Sequence, residues 1–471
     1  MTAVGADFLS LEAAELPTLG RTAWLSDRLR TAVLSGRLVE GTVLPPSRAL
    51  ATDLGLSRGV IVEAYQRLVD EGLLTARQGA GTTVSALPSA AGRARKLPAP
   101  QAFRLPLPVP AGIGTDLSPG VPDLSAFPRA AWLKAERAVL GAATPADLGY
   151  GDPRGHPALR TAVAGWLART RGIRADPTDL IVVSGVAQAL ALVSQVLHSR
   201  GRDRVAVEDP GSRGARDTLA HWGLQTVPVP VDGDGLVVAD LLTAQADAVM
   251  VTPAHQFPTG VVLAPARRRA LLSWASRGGL VVEDDYDAEH RYDRAPVPAL
   301  HASAPEQVAH TGSMSKTLAP GLRLGWLIGP TELRADLIDA KHASDIASPA
   351  LPQLVLARLI GSGALERHLR IVRARQRLRR DAVLAALAQH LPGARVDGVA
   401  AGLHLLVMLP RTSCDVDLLE PLQAAGVWAH PLSWHRVRPG PPGLVIGYAA
   451  HPPDRLYDAV TRLARVVRTS R

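Results

Sequence analysis

Lysine is nearly missing from this chain. Of its 52 basic residues only four are lysine, namely Lys96, Lys134, Lys316 and Lys341. Arginine cannot replace lysine where the chemistry needs an amine that loses its proton, so a lysine inside a motif is informative here. Cysteine occurs once, as Cys414, which excludes an intrachain disulfide and fits a reducing compartment. No run of about 18 apolar residues occurs, so no membrane-spanning helix is expected. The first residues are acidic and lack an apolar stretch, so no signal peptide is expected either. The expected setting is soluble and cytoplasmic, with no membrane partner.

The chain has 471 residues, enough for two or three domains at roughly 100–200 residues each. Its net charge is +9, a balance that favours polyanionic partners without specifying a fold. The charge is not concentrated at the N-terminal end, where residues 1–96 hold eleven basic and nine acidic residues.

Residues 20–86 have the pattern of a small helical unit closed by a hairpin. Trp24–Ser35 shows helical spacing of Leu25, Leu29, Ala32 and Val33 and stops at Gly36. Leu44-Pro45-Pro46 is a rigid turn after which Ser47 can cap a helix over Arg48–Leu54. Ser57 can cap another over Arg58–Asp70. Two strand-like stretches, Leu73–Arg77 and Thr82–Val84, flank Gln78-Gly79-Ala80-Gly81, a hairpin tip. Two short helices joined at Gly55 and followed by a hairpin make a winged helix-turn-helix. Its second helix enters the major groove of double-stranded DNA with N-terminal residues at the base edges. That places Ser57 and Arg58 at the bases and Arg48 on a phosphate or a base. Arg77 and Gly79 extend along the backbone or minor groove.

Residues 87–115 are rich in Pro, Ala and basic residues and read as a linker. From 116 to 471, apolar strands (Leu180–Val183, Arg204–Val207, Ala248–Thr252, Leu280–Asp284, Val308–Ser313) alternate with helices. That rhythm predicts a mostly parallel sheet covered on both faces. Residues 335–471 read as a smaller α+β unit.

Thr311-Gly-Ser-Met-Ser-Lys316 leads into Thr317-Leu-Ala-Pro-Gly-Leu-Arg323. A lysine amine forms a Schiff base with an aldehyde cofactor when its pKa is lowered and its geometry fixed. Ser313, Ser315 and Arg323 suit the oxygens of a phosphate. Gly185, Val186 and Ala187 open a helix after strand 180–183, where free backbone N–H groups face an anion. Glu283-Asp-Asp-Tyr-Asp287 ends a strand, and a carboxylate there can hold a pyridinium nitrogen. Asp284 is the first choice, with Glu283 and Asp285 as alternatives. Tyr286 would bond the ring hydroxyl. His255 and Gln256 follow another strand at the carboxyl edge of the sheet, where ligands collect in open α/β folds.

The strings Leu44-Pro-Pro-Ser-Arg-Ala-Leu-Ala51, Leu54-Gly-Leu-Ser-Arg58 and Ala64-Tyr-Gln-Arg-Leu68 resemble the GntR family of bacterial regulators. Residues 116–471 resemble fold-type I aminotransferases, which use pyridoxal 5'-phosphate (PLP). The two together, with His255-Gln-Phe-Pro258 and Tyr150-Gly-Asp-Pro-Arg-Gly155, resemble the MocR subfamily. The fold so implied is a small α+β winged helix-turn-helix domain joined to a large α/β aminotransferase-like domain with a smaller α+β subdomain. The resemblance implies a DNA-binding regulator whose Lys316 holds PLP as an internal aldimine. It further implies sensing of PLP or of a small amine or amino acid. It also implies a homodimer in which Tyr150 reaches the partner subunit's phosphate site. The alternative is an aminotransferase carrying a DNA-binding head. Against efficient transamination stand three departures from the family pattern. Ser212 occupies the usual place of a ring-stacking aromatic, with Trp222 as a candidate substitute. Phe257 stands for an asparagine. Leu444 stands near the expected carboxylate-binding arginine, with Arg436 or Arg438 as candidate substitutes.

Overall fold

The computed structural model describes residues 17–77, 81–85, 109–292, 297–398, 401–410 and 412–469. The chain divides into two compact units, residues up to 105 and residues from 106 on.

In the first unit three helices, α1 (Arg21–Leu34), α2 (Ser47–Asp53) and α3 (Arg58–Asp70), precede a hairpin of β1 (Leu74–Arg77) and β2 (Gly81–Val84). Leu25, Leu29, Leu50, Ile61, Leu68, Leu74 and Val84 form one apolar core. Helical spacing places the residues from α1, α2 and α3 on inward faces. Gly55 joins α2 to α3 at φ +62, a left-handed conformation that other residues adopt at a cost. The Ser57 hydroxyl caps α3 by accepting from the Val60 N–H, as its position predicts. Ser47 does not cap α2. The helix begins at Ser47 itself, Pro46 holds the extended N-cap position, and no side chain bonds the first turn. The structure also adds an isolated antiparallel bridge from Val43 to Thr83 beside the two-stranded wing. The hairpin tip 78–80, with Gly79, lies outside the described residues.

The second unit is built on an eight-stranded sheet. In chain order its strands are β3 (Leu180–Val183), β4 (Arg204–Asp209), β5 (Gln225–Asp232), β6 (Gly235–Leu236), β7 (Ala248–Val251), β8 (Leu280–Asp285), β9 (Val308–Ser313) and β10 (Gly325–Ile328). Their spatial order is β3-β10-β9-β8-β7-β4-β5-β6. The central pairs from β9 to β5 are parallel, whereas β10 and β6 run antiparallel to their neighbours. Helices cover both faces, as continuously apolar parallel strands require. On one face, Ile181, Val205, Val207, Met250 and Val282 pack with helix Val186–Ser199. On the other, Val249, Val251 and Val281 pack with helix Pro265–Ala275. Three strands in this sheet escape the sequence reading. Gln225–Asp232 is interrupted by Pro228 and Pro230, Gly235–Leu236 has two residues, and Gly325–Ile328 directly follows the lysine loop.

A four-stranded antiparallel sheet forms the smaller part. Its strands β11 (Val396–Asp397), β12 (His404–Met408), β13 (His430–Pro431) and β14 (Gly443–Gly447) lie in the order β11-β12-β14-β13. The long helices Ala364–His390 and Pro453–Thr469 share its apolar core. Most of the linker stretch lies outside the described residues, but Thr115–Asp116 already pairs with Val427–Trp428.

One buried ion pair clamps the carboxyl end of β8. Arg171, the last residue of helix Pro157–Arg171, places Nε 2.5 Å from Asp285 Oδ2 and a second guanidinium nitrogen 2.9 Å from Oδ1. The side chains are 1% and 3% exposed. Breaking such a pair from one side leaves an unpaired buried charge. Arg171→Ala is therefore expected to reduce stability by about 3–5 kcal/mol in urea unfolding. A loss under about 1 kcal/mol, the usual worth of an exposed pair, would show that Asp285 finds another partner.

Candidate functional site

The carboxyl ends of β3, β4, β7, β8 and β9 surround a cavity of about 330 Å³. Lys316, Asp284, Tyr286, Ser313, Ser315, Arg323, Val186 and Ala187 all line it. Two of its loops, 139 positions apart at Ser184 and Arg323, meet through one hydrogen bond. The Arg323 guanidinium donates to the Ser184 carbonyl.

The acidic run at the end of β8 separates by strand alternation, because successive side chains point to opposite faces. Glu283 accepts from the backbone N–H of Leu300 and His301, at 2.7 and 3.1 Å, and lies 3.3 Å from His310 Nδ1. Asp285 is held by Arg171. Asp284 points the other way, lines the cavity, and has a buried Oδ1 with no partner among the described residues. Burial, then Asp285 and Asp287, push its pKa up to about 8. Of the three carboxyls left open by the sequence, Asp284 is the one free to take a cation.

The Lys316 residue is half-buried, with its amine turned inward. Desolvation lowers the pKa of its amine, against the pull of Asp287 and Asp284. Its Nζ donates to the Gly120 carbonyl at 2.5 Å, and a Cβ on Gly120 would stand 3.0 Å from Nζ. Gly120 is absent from the sequence reading. The only local signal for it is the turn-like Ser118-Pro119-Gly120.

At the opposite end, Gly185 has φ +82 and opens helix Val186–Ser199. A Cβ there would lie 3.2 Å from both terminal nitrogens of Arg323. Arg323 itself has φ +51, a strained conformation of the kind that collects at ligand sites. Free N–H groups of a helix start, a guanidinium and two serines make this end suited to a phosphate.

Not every expected residue is at the wall. His255 is 2% exposed and stands behind Tyr286 rather than lining the cavity. Gln256 anchors its own loop through Glu208, Pro210 and Phe257. Tyr150 is 93% exposed and borders a separate cavity with His156, Ile346 and Gln353. Ser212 lines the site and caps helix Arg213–His221. Trp222 packs on His221 outside the cavity, so it does not replace a stacking ring. Arg436 and Arg438 are likewise outside it, and Leu444 is buried in the core of the smaller part. Lys316 and Arg323 are the cations lining the cavity among the described residues.

These features fit PLP. The Asp284 oxygen, without a partner among the described residues, suits a ring nitrogen cation, the Gly185 turn with Arg323 suits a phosphate, and the Lys316 amine lines the same cavity.

In the first unit, Arg48, Ser57, Arg58 and Arg77 are all exposed. No ion pair ties up these three arginines among the described residues, whereas Arg30 is paired with Glu71 at 2.6 Å and Arg67 with Glu63 at 2.5 Å. Ser57 and Arg58 sit at the start of α3 and Arg77 at the end of β1.

Comparison with known proteins supports both halves. Residues 113–463 match the family model described as aminotransferase class I and II, and residues 23–84 match bacterial regulatory proteins, gntR family. The probable rhizopine catabolism regulatory protein MocR of Rhizobium meliloti is 32% identical over 93% of this chain and 92% of its own length. The pyridoxine biosynthesis transcriptional regulator PdxR of Corynebacterium glutamicum is 33% identical over 92% of each. Among solved structures, a kynurenine aminotransferase of Pyrococcus horikoshii superposes with a TM-score of 0.70 at 28% identity. It covers 76% of this chain and 91% of that one.

The raised pKa of Asp284 has a measurable consequence. Between its ordinary value of 3.8 and about 8, the folded chain holds a proton that the unfolded chain releases. Stability contributed by this group therefore falls as pH rises through that window and is constant above it. Asp284→Asn removes the loss. Thermal unfolding of cofactor-free protein should show the variant gaining on the wild type from pH 4 to 8. Parallel curves would show that Asp284 is ionised in the folded chain.

Proposed function

Since the chain belongs to the MocR subfamily, a gntR-type DNA-binding transcription regulator fused to a class I and II aminotransferase-type domain, we propose that its body is a PLP-dependent sensor. The observation that carries this is the single cavity in which an inward-turned lysine amine, a carboxyl oxygen without a partner among the described residues and a helix-start anion cradle converge. The setting proposed is the cytoplasm, and no described helix is long and apolar enough to cross a membrane.

PLP, when bound, supplies an aldehyde open to attack by an amine. The protein residues have separate tasks. Burial of the Lys316 amine favours its neutral, nucleophilic form. Asp284 holds the ring nitrogen, and Tyr286 donates to the ring hydroxyl. Gly185, Val186, Ala187, Ser313, Ser315 and Arg323 hold the phosphate. Tyr150, exposed on its own subunit, completes the partner subunit's site in a homodimer. The effector is PLP itself or a small amine or amino acid.

The head binds double-stranded DNA through Arg58 and Ser57 at the bases and through Arg48 and Arg77 at the backbone. A ligand changes DNA affinity only if it binds two arrangements of the dimer unequally. The transaminase reading is not favoured, since Arg436, Arg438 and Leu444 leave the cavity, among the described residues, without the second arginine that a substrate carboxylate would use.

Two experiments test this reading. Purified protein should show a visible cofactor absorbance that Lys316→Ala abolishes, and PLP should alter promoter affinity of the wild type but not of that variant. Unchanged affinity with PLP demonstrably bound would reject the sensor. On the DNA side, Arg58→Ala should cost about 1–3 kcal/mol on the cognate site. Arg77→Ala should lower the slope of log affinity against log salt by about one. An equal loss for Arg58→Ala on random DNA would reject its role as a base reader.

A further inference from the structure

We propose that His255 and Asp287 are a positioning pair that keeps the hydroxyl proton of Tyr286 directed into the cofactor cavity. The inference rests on the cofactor reading above and gives a task to two buried residues which that reading leaves idle.

His255 Nδ1 lies 2.8 Å from Asp287 Oδ2 and 3.1 Å from Tyr286 Oη. A neutral imidazole nitrogen carries either a hydrogen or a lone pair, and an ionised carboxylate only accepts. Burial opposes ionisation of Asp287, but His255, His404 and His290 outweigh it and hold the carboxyl below its ordinary range. The hydrogen on Nδ1 is therefore committed to Asp287. Tyr286 cannot donate to a nitrogen already bearing that hydrogen. Burial, then Asp287 and Asp284, raise the ionisation of Tyr286 well above its ordinary value, so the phenol keeps its proton.

Asp287 is also the rival acceptor for that proton, since it hydrogen-bonds Tyr286 as well. The His255 hydrogen bond to Asp287 Oδ2 at 2.8 Å weakens that carboxylate as an acceptor for Tyr286, so a ring oxygen in the cavity can draw the phenol proton. The ring is fixed for this task. A Cβ on Gly402 would come within 2.0 Å of His255 Cε1 and 2.8 Å of Asp287 Oδ2, and one on Gly260 within 3.3 Å of Nε2. The His404 ring closes a further side, 5.0 Å away between centroids.

Among the described residues, the same wall offers no equivalent donor. Phe257 lines the cavity beside Tyr286 and has none. Thr252 Oγ1 donates to Glu208 at 2.7 Å. The ring oxygen of the cofactor thus depends on Tyr286, and Tyr286 on His255. The charged and titratable groups around the pair include Asp284 on β8, Glu208 on β4, His404 on β12, Lys316, and His290, Glu289 and Tyr292 beyond β8, with Tyr448 after β14.

A donor to the ring oxygen draws electron density from it and weakens the proton affinity of the conjugated system. Losing the donor raises the pH midpoint of the bound cofactor's visible absorbance. The test uses full-length protein loaded with PLP. His255→Leu should still bind PLP stoichiometrically, with its midpoint shifted upward by roughly one pH unit, the scale of one charge-assisted hydrogen bond. Tyr286→Phe should shift it similarly, and the double variant no further than Tyr286→Phe alone. His255→Gln, whose amide still donates to Asp287, should restore the wild-type midpoint. If the leucine variant does not fold, His255→Phe keeps the ring volume and takes its place. An unshifted midpoint, or an equal shift in the Tyr286→Phe background, overturns the inference while leaving the cofactor reading intact. Wild-type protein with no visible band after PLP loading overturns both.

Discussion

Three acidic side chains in succession enter the interior at the end of β8, and the site depends on how differently they are neutralised. Asp285 is closed by the fork of Arg171, and Glu283 by two backbone N–H groups and His310. Both lie on the face turned away from the cavity. With those two charges satisfied, Asp284 is left facing the cavity without a partner for its Oδ1 among the described residues. Adjacent burial of like charges is tolerated because each neighbour has its own cation or donors. On the cofactor reading proposed above, the unmatched one, its pKa raised by burial, is the partner of a cationic ring.

The other end of the cavity solves the opposite problem. A phosphate needs positive potential without a shell of flexible lysines, and this chain has almost none to spend. The Gly185 turn and the strained Arg323 supply it from backbone and one rigid fork. Gly185 has no side chain because the guanidinium occupies that space. The scarcity of lysine matches the cofactor reading proposed above, in which the one lysine lining the site serves as an amine and not as a counter-charge.

Much of this was legible in the chain. The winged head could be read from glycine stops, the Ser57 cap and apolar spacing, because each is a local rule acting over a few residues. The central strands could be read because parallel strands buried on both faces are continuously apolar. Strands broken by Pro228 and Pro230, or only two residues long, carry no such signal. The Ser47 cap failed because Pro46 already sets an extended entry, and the helix starts one residue earlier. Trp222 failed as a stacking substitute because it ends helix Arg213–His221 facing away from the cavity.

The sequence by itself determined which chemical groups the site holds: a lone lysine among serines, an acidic run, a glycine turn and an arginine. Those follow from residue type and short-range spacing. Only the tertiary structure decided which carboxyl is free, that Gly120 meets Lys316, and that His255 stands behind Tyr286 with Asp287 rather than at the wall. Each of those outcomes depends on which strand face a side chain takes and on partners more than thirty positions away or on another strand. One residue of register reverses the face, and no local pattern records the distant partner.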